Sequence, residues 1–458
     1  MSSLPDFPFE FKGDIVTRSC PGYTQAIMRW ARSAERNAAV VAFVKDAADT
    51  SIAIAYAREN NLPIAIKCGG HSSAGASSVE DGLVIDCSRY LNYCRVDAAK
   101  KVAHVGGGTL WETVDKAAYE HGLATVAGVS VLTLGGGFGY LSGQHGLAAD
   151  NVLEATVVVA DGTTLVANSN KHSDLFFGIR GGGSNFGVVT EFIFRLHDQR
   201  PTIFGGFLGF SSSALSSLVK AAENYWAVQD PRACMFMTLG AKSGVRCLLF
   251  YDGSVREGRS YFKDFFDAGP TSNSTKEIPY VEANTMMNSN FRPGGCEYQK
   301  GIAHPVPDLQ LLTELKQMIE AYGRSGGPSP VAMFSFWPKG RIMHPAEDCA
   351  FRRDPYPDLG LIATWQEITS DNFNIARKRV YELHDFVKAY DASHLSELSS
   401  SALTGYGNNG DEAASSALEA RAQRSRLAFG DVYPRLQEIK KKYDPDMVFN
   451  RWYPIIPV

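Results

Sequence analysis

No stretch of this chain is apolar for anything like a membrane-spanning length. The longest early apolar run, Ala38 to Val44, is seven residues, against about 20 for a spanning helix. A basic excess is missing too. Lys and Arg total 45 against 49 Asp and Glu, a formal charge of -4, so neither a nucleic-acid backbone nor an anionic membrane is expected as a partner. The eight cysteines contain no C-x-x-C and no Cys/His cluster with zinc spacing, so no metal site is expected. Eight cysteines in 458 residues do not make a disulfide scaffold, and most of these thiols read as packed core groups. HExxH, Walker A and GxSxG are absent, which argues against a zincin, a P-loop enzyme or an α/β-hydrolase. The first ten residues hold Asp6 and Glu10 but no basic residue and no apolar h-region. No secretory signal is expected, and the expected location is cytoplasmic.

What the chain does contain is clustered glycine beside strand-like runs. Ala38–Val44 reads as a buried strand, Asp46–Glu59 as a helix and Leu62–Lys67 as a second strand, together a β-α-β unit. It ends in Cys68-Gly69-Gly70-His71-Ser72-Ser73-Ala74-Gly75. The loop after a strand's carboxyl end is where α/β sheets usually bind ligands. Gly82–Asp86 and Lys101–Val105 read as strands and Leu110–His121 as a helix. A second cluster, Leu134-Gly135-Gly136-Gly137-Phe138-Gly139, precedes the strand-like Asn151–Ala160. A third, Arg180-Gly181-Gly182-Gly183-Ser184-Asn185-Phe186-Gly187, leads into the strand-like Val188–Leu196. Glycine is used where a Cβ would block approach or where φ must be positive. Three such clusters point to one extended ligand pressed against backbone.

The pattern changes near Pro201. Helical stretches such as Ser213–Trp226 and Leu309–Tyr322 alternate with strand-like runs such as Met235–Leu239 and Arg246–Tyr251, which reads as antiparallel strands with helices on one face. From about Ser396 the chain turns polar and Ser-rich, then helical again at Asp411–Arg426 and Tyr433–Lys442. The expected units are residues 1–200, 201–395 and 396–458.

Pro63–Gly75, Gly82-Leu83-Val84-Ile85-Asp86, Leu134–Gly139 and Arg180–Glu191, in this order, resemble the FAD domain of the vanillyl-alcohol oxidase (PCMH-type) superfamily. The nearest likeness is to berberine bridge enzyme-like oxidases, including fungal biosynthetic members. It covers about residues 30–200 and returns at Tyr406–Asn408 and Tyr443–Phe449. The resemblance implies an α+β fold of two domains: a PCMH-type FAD-binding domain and an antiparallel-sheet substrate domain covered by helices, with the last segment returning to the FAD domain. It implies FAD as cofactor, linked covalently to His71 at the flavin 8α position. It further implies that Lys67, Cys68, Gly69, Gly70, His71, Ser72, Gly75, Thr133, Gly135, Gly136, Gly137, Gly139, Asn151, Gly187, Val188 and Asn408 touch the cofactor. Many relatives attach the flavin a second time through a Cys just before the second glycine cluster. This chain has Gly128-Val129-Ser130-Val131 there, so a single attachment is expected. It also runs from Gly128 straight to Thr133 where relatives have a longer stretch.

The implied reaction is oxidation of a small organic molecule, an alcohol, amine or secondary-metabolite carbon. Hydride passes to flavin N5, and oxygen is the expected acceptor, yielding hydrogen peroxide. Tyr406-Gly407-Asn408 is either a turn before a helix or, as the resemblance implies, places the Tyr406 phenol over the substrate as catalytic base. A phenol near pKa 10 serves so only if its surroundings lower that value. Trp226, Phe250, Tyr251, Trp337 and Trp365 are either core or a cavity wall. Arg352 and Tyr356 read as surface or structural groups. Gly405-x-Gly407-x-x-Gly410, with Asp431 beyond it, formally matches a dinucleotide fingerprint, but no convincing strand precedes it and no strand follows its helix. A flavin dehydrogenase with another acceptor, and a non-redox flavin protein or cyclase, remain as alternative functions.

Overall fold

The computed structural model describes residues 6–127, 133–288, 292–394 and 418–458. Three sheets organise them. The first is built from β1 (Asp14–Thr17), β2 (Val40–Phe43), β3 (Ile64–Lys67) and β4 (Leu83–Asp86), in the order β1-β2-β4-β3. The strands β2 and β3 of the expected β-α-β unit are not neighbours, because β4 lies between them and pairs parallel with both. All four residues of β4 are buried, as a continuous apolar run at the centre of a parallel sheet requires. The helix Ala47–Glu59 starts where the Asp46 carboxylate accepts from the Asp49 N–H at 2.9 Å, an N-cap. Its Ala53, Ile54 and Ala57 pack against Val40, Ala42, Leu83 and Ile85.

The second sheet is antiparallel, ordered β5-β6-β10-β8-β9: β5 (Cys94–Asp97), β6 (Val102–Gly106), β8 (Val152–Val158), β9 (Thr164–Asn168) and β10 (Val188–Arg195). A short pair, β7 (Leu123–Ala124) with β11 (His197–Asp198), lies beside it.

Beyond Pro201 a larger antiparallel sheet takes over, ordered β15-β12-β14-β13-β18-β19-β17, with β16 also on β12. Its strands are β12 (Thr202–Phe210), β13 (Ala233–Gly240), β14 (Gly244–Tyr251), β15 (Ser272–Asn273), β16 (Lys276–Pro279), β17 (Cys296–Ala303), β18 (Pro330–Phe336) and β19 (Asp358–Trp365). Side chains alternate across a strand, and β13 uses both faces. Met235, Met237 and Leu239 pack under the helices Leu215–Val228, Leu309–Arg324 and Ser370–His394. Cys234 and Phe236 face the other way, toward Phe138, Tyr140 and Leu141 of the glycine-rich half.

The chain ends by packing back on the second sheet. Tyr433, Leu436, Ile439 and Tyr443 of the helix Tyr433–Tyr443 join Phe176, Phe186 and Trp452 in one cluster. Lys440, wholly buried, pairs with Asp444 at 2.6 Å and donates to the carbonyls of Asn185 and Phe449. Among the described residues no helix is long and apolar enough to cross a membrane. All eight cysteines are free, and Cys87, Cys234, Cys247, Cys296 and Cys349 are buried.

Candidate active site

A cavity of about 460 Å³ opens between the glycine-rich half and the large sheet. One wall is the loop that leaves β3. The backbone N–H groups of Gly69, Gly70, His71, Ser72 and Ser73 donate to no protein acceptor among the described residues. Such a row of open donors is a site for an acceptor-rich group such as a diphosphate. Gly70 sits at φ +70°, a left-handed conformation that glycine adopts without strain. The Gly75 N–H closes the loop on the Ser72 carbonyl at 3.1 Å. The His71 ring lies 4.8 Å from that of Trp30, centroid to centroid. Desolvation, and then the nearby Lys67 charge, hold its imidazole below the usual range. A neutral imidazole is the nucleophilic form.

The facing wall is the sheet. Register aligns Phe236 on β13, Ser335 on β18 and Asp358 on β19 across three strands. All three line the cavity, as do Gln299, Met333 and Ile362. The helix Trp111–Tyr119 completes the enclosure with Asp115. Glu112, Asp115, Glu297 and Asp358 bring four carboxyl groups to these walls, and three of them are raised toward neutrality. Burial pushes Asp115 up to about 7, against the opposing effect of the Asn284 Nδ2 donor at 2.7 Å. Burial raises Glu297 to about 7, with a Ser73 hydrogen bond opposing it. Asp358 is held at about 6 by burial, with the Lys339 charge opposing. The Asp358 carboxylate makes no hydrogen bond or ion pair with any described residue. These are the groups able to take a proton near neutrality.

The residues singled out from sequence divide into three sets. Cys68, Gly69, Gly70, His71, Ser72, Thr133, Gly135 and Gly187 line the cavity. Lys67, Gly75, Gly136, Gly137, Gly139, Asn151 and Val188 stand behind its surface. Lys67 Nζ is bound to Asp86 at 2.8 Å and Ser88 at 3.1 Å. Asn151 Nδ2 donates to the His145 and Leu147 carbonyls, and Val188 is fully buried beside β8. A Cβ at Gly136 would collide with the Phe351 ring, and one at Gly139 with the Ala127 carbonyl. Protein packing therefore explains these two glycines, where the sequence pointed to a pressed ligand. Tyr406, Asn408, the GxGxxG stretch and residues 128–132 lie outside the described residues. Arg352 is structural in its contacts, donating to Asp354 at 2.8 Å and to the Leu427 carbonyl at 3.1 Å.

Sequence reading missed a fourth glycine cluster, Gly106-Gly107-Gly108, at the end of β6. Gly106 and Gly107 line the cavity, and a Cβ on Gly107 would strike the Val189 carbonyl. Three glycines between a strand and a helix were the available signal. Of the five candidate wall aromatics only Trp337 reaches the cavity; Phe250, Tyr251 and Trp365 are core, and Trp226 packs against it.

The arrangement is that of a two-domain flavin-binding oxidoreductase: a glycine-loop cradle with an imidazole at its rim, roofed by an antiparallel sheet. The FAD binding domain family matches residues 38–168, and the berberine and berberine-like family matches residues 405–455. The chain thus carries an FAD-binding domain and a berberine-like segment, and the relatives it resembles along its length are FAD-linked oxidoreductases. The FAD-linked oxidoreductase pgmH of Aspergillus terreus is 29% identical over 95% of this chain and 91% of that protein. The (R)-6-hydroxynicotine oxidase of Paenarthrobacter nicotinovorans is 32% identical over 46% of this chain and 48% of that protein. Two solved structures share the fold. The 6-hydroxy-D-nicotine oxidase of Arthrobacter nicotinovorans superposes with a TM-score of 0.86 at 23% identity, over 98% of this chain and 99% of that one. The glucooligosaccharide oxidase of Acremonium strictum, whose FAD is 6-S-cysteinyl, 8α-N1-histidyl, gives 0.82 at 19% identity over 97% of each chain.

Proposed function

We propose that this FAD-linked oxidoreductase is an oxidase of a small alcohol, amine or secondary-metabolite carbon, with its flavin linked to His71 and oxygen as electron acceptor. The observation that carries the reading is the shared cavity: open backbone donors and His71 on one wall, carboxyl groups and apolar side chains on the other. The fit to FAD rests on those donors, which no protein acceptor among the described residues takes up. In this reading Gly69–Ser72, Thr133, Gly135 and Gly187 hold the cofactor directly. Lys67, Gly75, Gly136, Gly137, Gly139, Asn151 and Val188 hold the loops that do so, and Tyr406 and Asn408 complete the site from the C-terminal segment. Residues 1–200 and 396–458 form the FAD-binding part and 201–395 the substrate-binding part. The bound flavin supplies the two-electron acceptor for a hydride from substrate carbon, and oxygen then takes the electrons to give hydrogen peroxide. The chain's own work is to exclude water, to hold the substrate against the sheet, and to accept its O–H or N–H proton. Asp358 is a second candidate for that last task, in addition to Tyr406, because its carboxylate faces the cavity while Lys339 favours its charged form.

Acid precipitation tests the link. The precipitated chain should stay yellow, and the His71→Ala protein, folded as the parent is before precipitation, should release all its flavin to the supernatant. Colour retained by the precipitated His71→Ala protein would place the attachment elsewhere. Peroxide formed per substrate oxidised, compared with dye reduction under argon, separates oxidase from dehydrogenase.

A further inference from the structure

Two thiols meet where the flavin loop leaves the first sheet. The strands β3 and β4 are parallel and in register from Ile64↔Leu83 to Lys67↔Asp86. The next residues are Cys68 and Cys87, and the ladder continues there, with the Cys87 N–H donating to the Lys67 carbonyl at 2.9 Å. Side chains two apart share a face, so Cys68 follows Ile66 and Cys87 follows Ile85 into one apolar cluster. Neighbouring parallel strands lie about 4.8 Å apart, within the Cα separation of about 4.4–6.8 Å that a disulfide spans. The two differ in access. Cys68 lines the cavity, while Cys87 is fully buried behind it.

We propose that Cys68 and Cys87 form a peroxide-reactive dithiol site in the cavity wall, with Cys68 as the attacking thiol and Cys87 as the resolving one. The Cys68 thiolate attacks one oxygen of a hydroperoxide. An S–O bond forms, the O–O bond breaks, and with hydrogen peroxide one water leaves. Cys87 then attacks the resulting sulfenic acid. The S–S bond forms, the S–O bond breaks, and a second water leaves. The two thiols lose two electrons and two protons, and the peroxide gains both. The local electrostatics assign the roles in the same order. The Cys87 hydrogen bond lowers the Cys68 thiol against burial and the Asp86 charge, which raise it, with a smaller lowering by Lys67, while that bond and burial push Cys87 well up. The thiolate is the nucleophile. The closed bridge staples the base of the His71 loop to β4. A source of peroxide inside the cavity rests on the oxidase reading; the thiol chemistry does not, and added peroxide tests it alone.

The experiment treats the flavin-loaded protein with hydrogen peroxide in slight excess, blocks remaining thiols with a maleimide, and maps peptides. The expected product is a Cys68–Cys87 linked peptide, reversed by dithiothreitol, formed at least tenfold faster than any oxidation of Cys94, whose thiol burial raises to about 11. In Cys87→Ser, and more slowly in Cys87→Ala, which lacks a side-chain donor for Cys68, the Cys68 thiol should stop at sulfenic acid and take up dimedone. In Cys68→Ser no bridge should form and Cys87 should stay reduced. A linked peptide that never appears, Cys94 oxidised as fast as Cys68, or no dimedone adduct in either Cys87 variant would each overturn the proposal. Loss of peroxide production with the dithiol chemistry intact would instead count against the oxidase reading.

Discussion

Asp115 shows what a single residue at the cavity wall does to the whole protein's pH response. Its carboxyl is 4% exposed and titrates at about 7, raised from an unfolded value of 3.8. The folded chain therefore holds this proton where the unfolded chain has lost it. The stabilising contribution is fully present below pH 3.8 and is lost as pH rises through about 7. Asp115→Asn removes the titration while keeping a group that accepts from Asn284. The variant should gain on the parent between pH 4 and 7, by up to roughly 4 kcal/mol at pH 8, and match it near pH 3.5. Urea unfolding of flavin-free protein at several pH values measures this. A constant difference between the two proteins across that range would show that Asp115 does not titrate as its burial requires. None of this was legible in the sequence. Asp115 is one acid on an amphipathic helix, and the Asn284 that meets it lies 169 residues away.

At the scale of elements, the local pattern was legible and the assembly was not. Apolar runs marked β2, β3, β4, β6, β8 and β10 to within a few residues, because the sequence periodicity and the backbone hydrogen-bond pattern share one origin. Strand order is a different kind of information. Placing β4 between β2 and β3 depends on which apolar face can be covered by the helix Ala47–Glu59, a long-range contact that no window shows. The glycine clusters carry the same lesson. Composition located them, but only packing separates Gly70, whose loop faces the cavity, from Gly139, which faces the Ala127 carbonyl. Gly107 sits between these cases, lining the cavity while its missing Cβ lets β6 approach β10. Its N–H donates to the Thr190 carbonyl at 2.9 Å. Gly107→Ala should push these strands apart, lowering stability by about 1–3 kcal/mol and weakening FAD retention. Thermal melts of the flavin-free variant read the first effect and flavin stoichiometry the second. A melt identical to the parent's would mean the collision is relieved at no cost.

At the scale of the whole molecule, the two ends of the sequence hold one site together. The buried Lys440–Asp444 pair fixes the C-terminal helix to Asn185, at the end of the third glycine cluster. Lys440→Met would leave a buried carboxylate without its cation, at about 3–5 kcal/mol. The melting temperature should fall by several degrees, and a double change that also replaces Asp444 with Asn should recover part of it. No recovery would show that the ammonium's bonds to the two carbonyls, not its charge, matter.

The other end closes the seam between the halves. Among the described residues the strand β17 pairs only with β19, so its outer edge would be an open row of backbone groups. The segment before the His71 loop covers it. Ala31 bridges Gly295 in parallel, the Arg32 N–H donates to the Gly295 carbonyl at 2.8 Å, and Ser33 Oγ donates to the Glu297 carbonyl at 2.9 Å while accepting from the Glu297 N–H at 3.0 Å. Trp30, whose ring meets that of His71 at a tilt, begins the same segment, and the Glu297 side chain reaches Ser73. One short strip thus ties the imidazole, the His71 loop and the large antiparallel sheet together. Ser33→Ala removes both bonds at Glu297 at roughly 1–3 kcal/mol of local stability. Amide exchange at Glu297 should then quicken by about tenfold or more, while Met237 in the central strand β13 keeps its parent rate, because openings of an edge are local. If the Glu297 amide exchanges no faster in Ser33→Ala, the edge is held by β19 alone and the strip does not close the cavity. Acceleration at Met237 as well would mean that the two halves open as a single unit and that the seam carries the stability of the whole sheet.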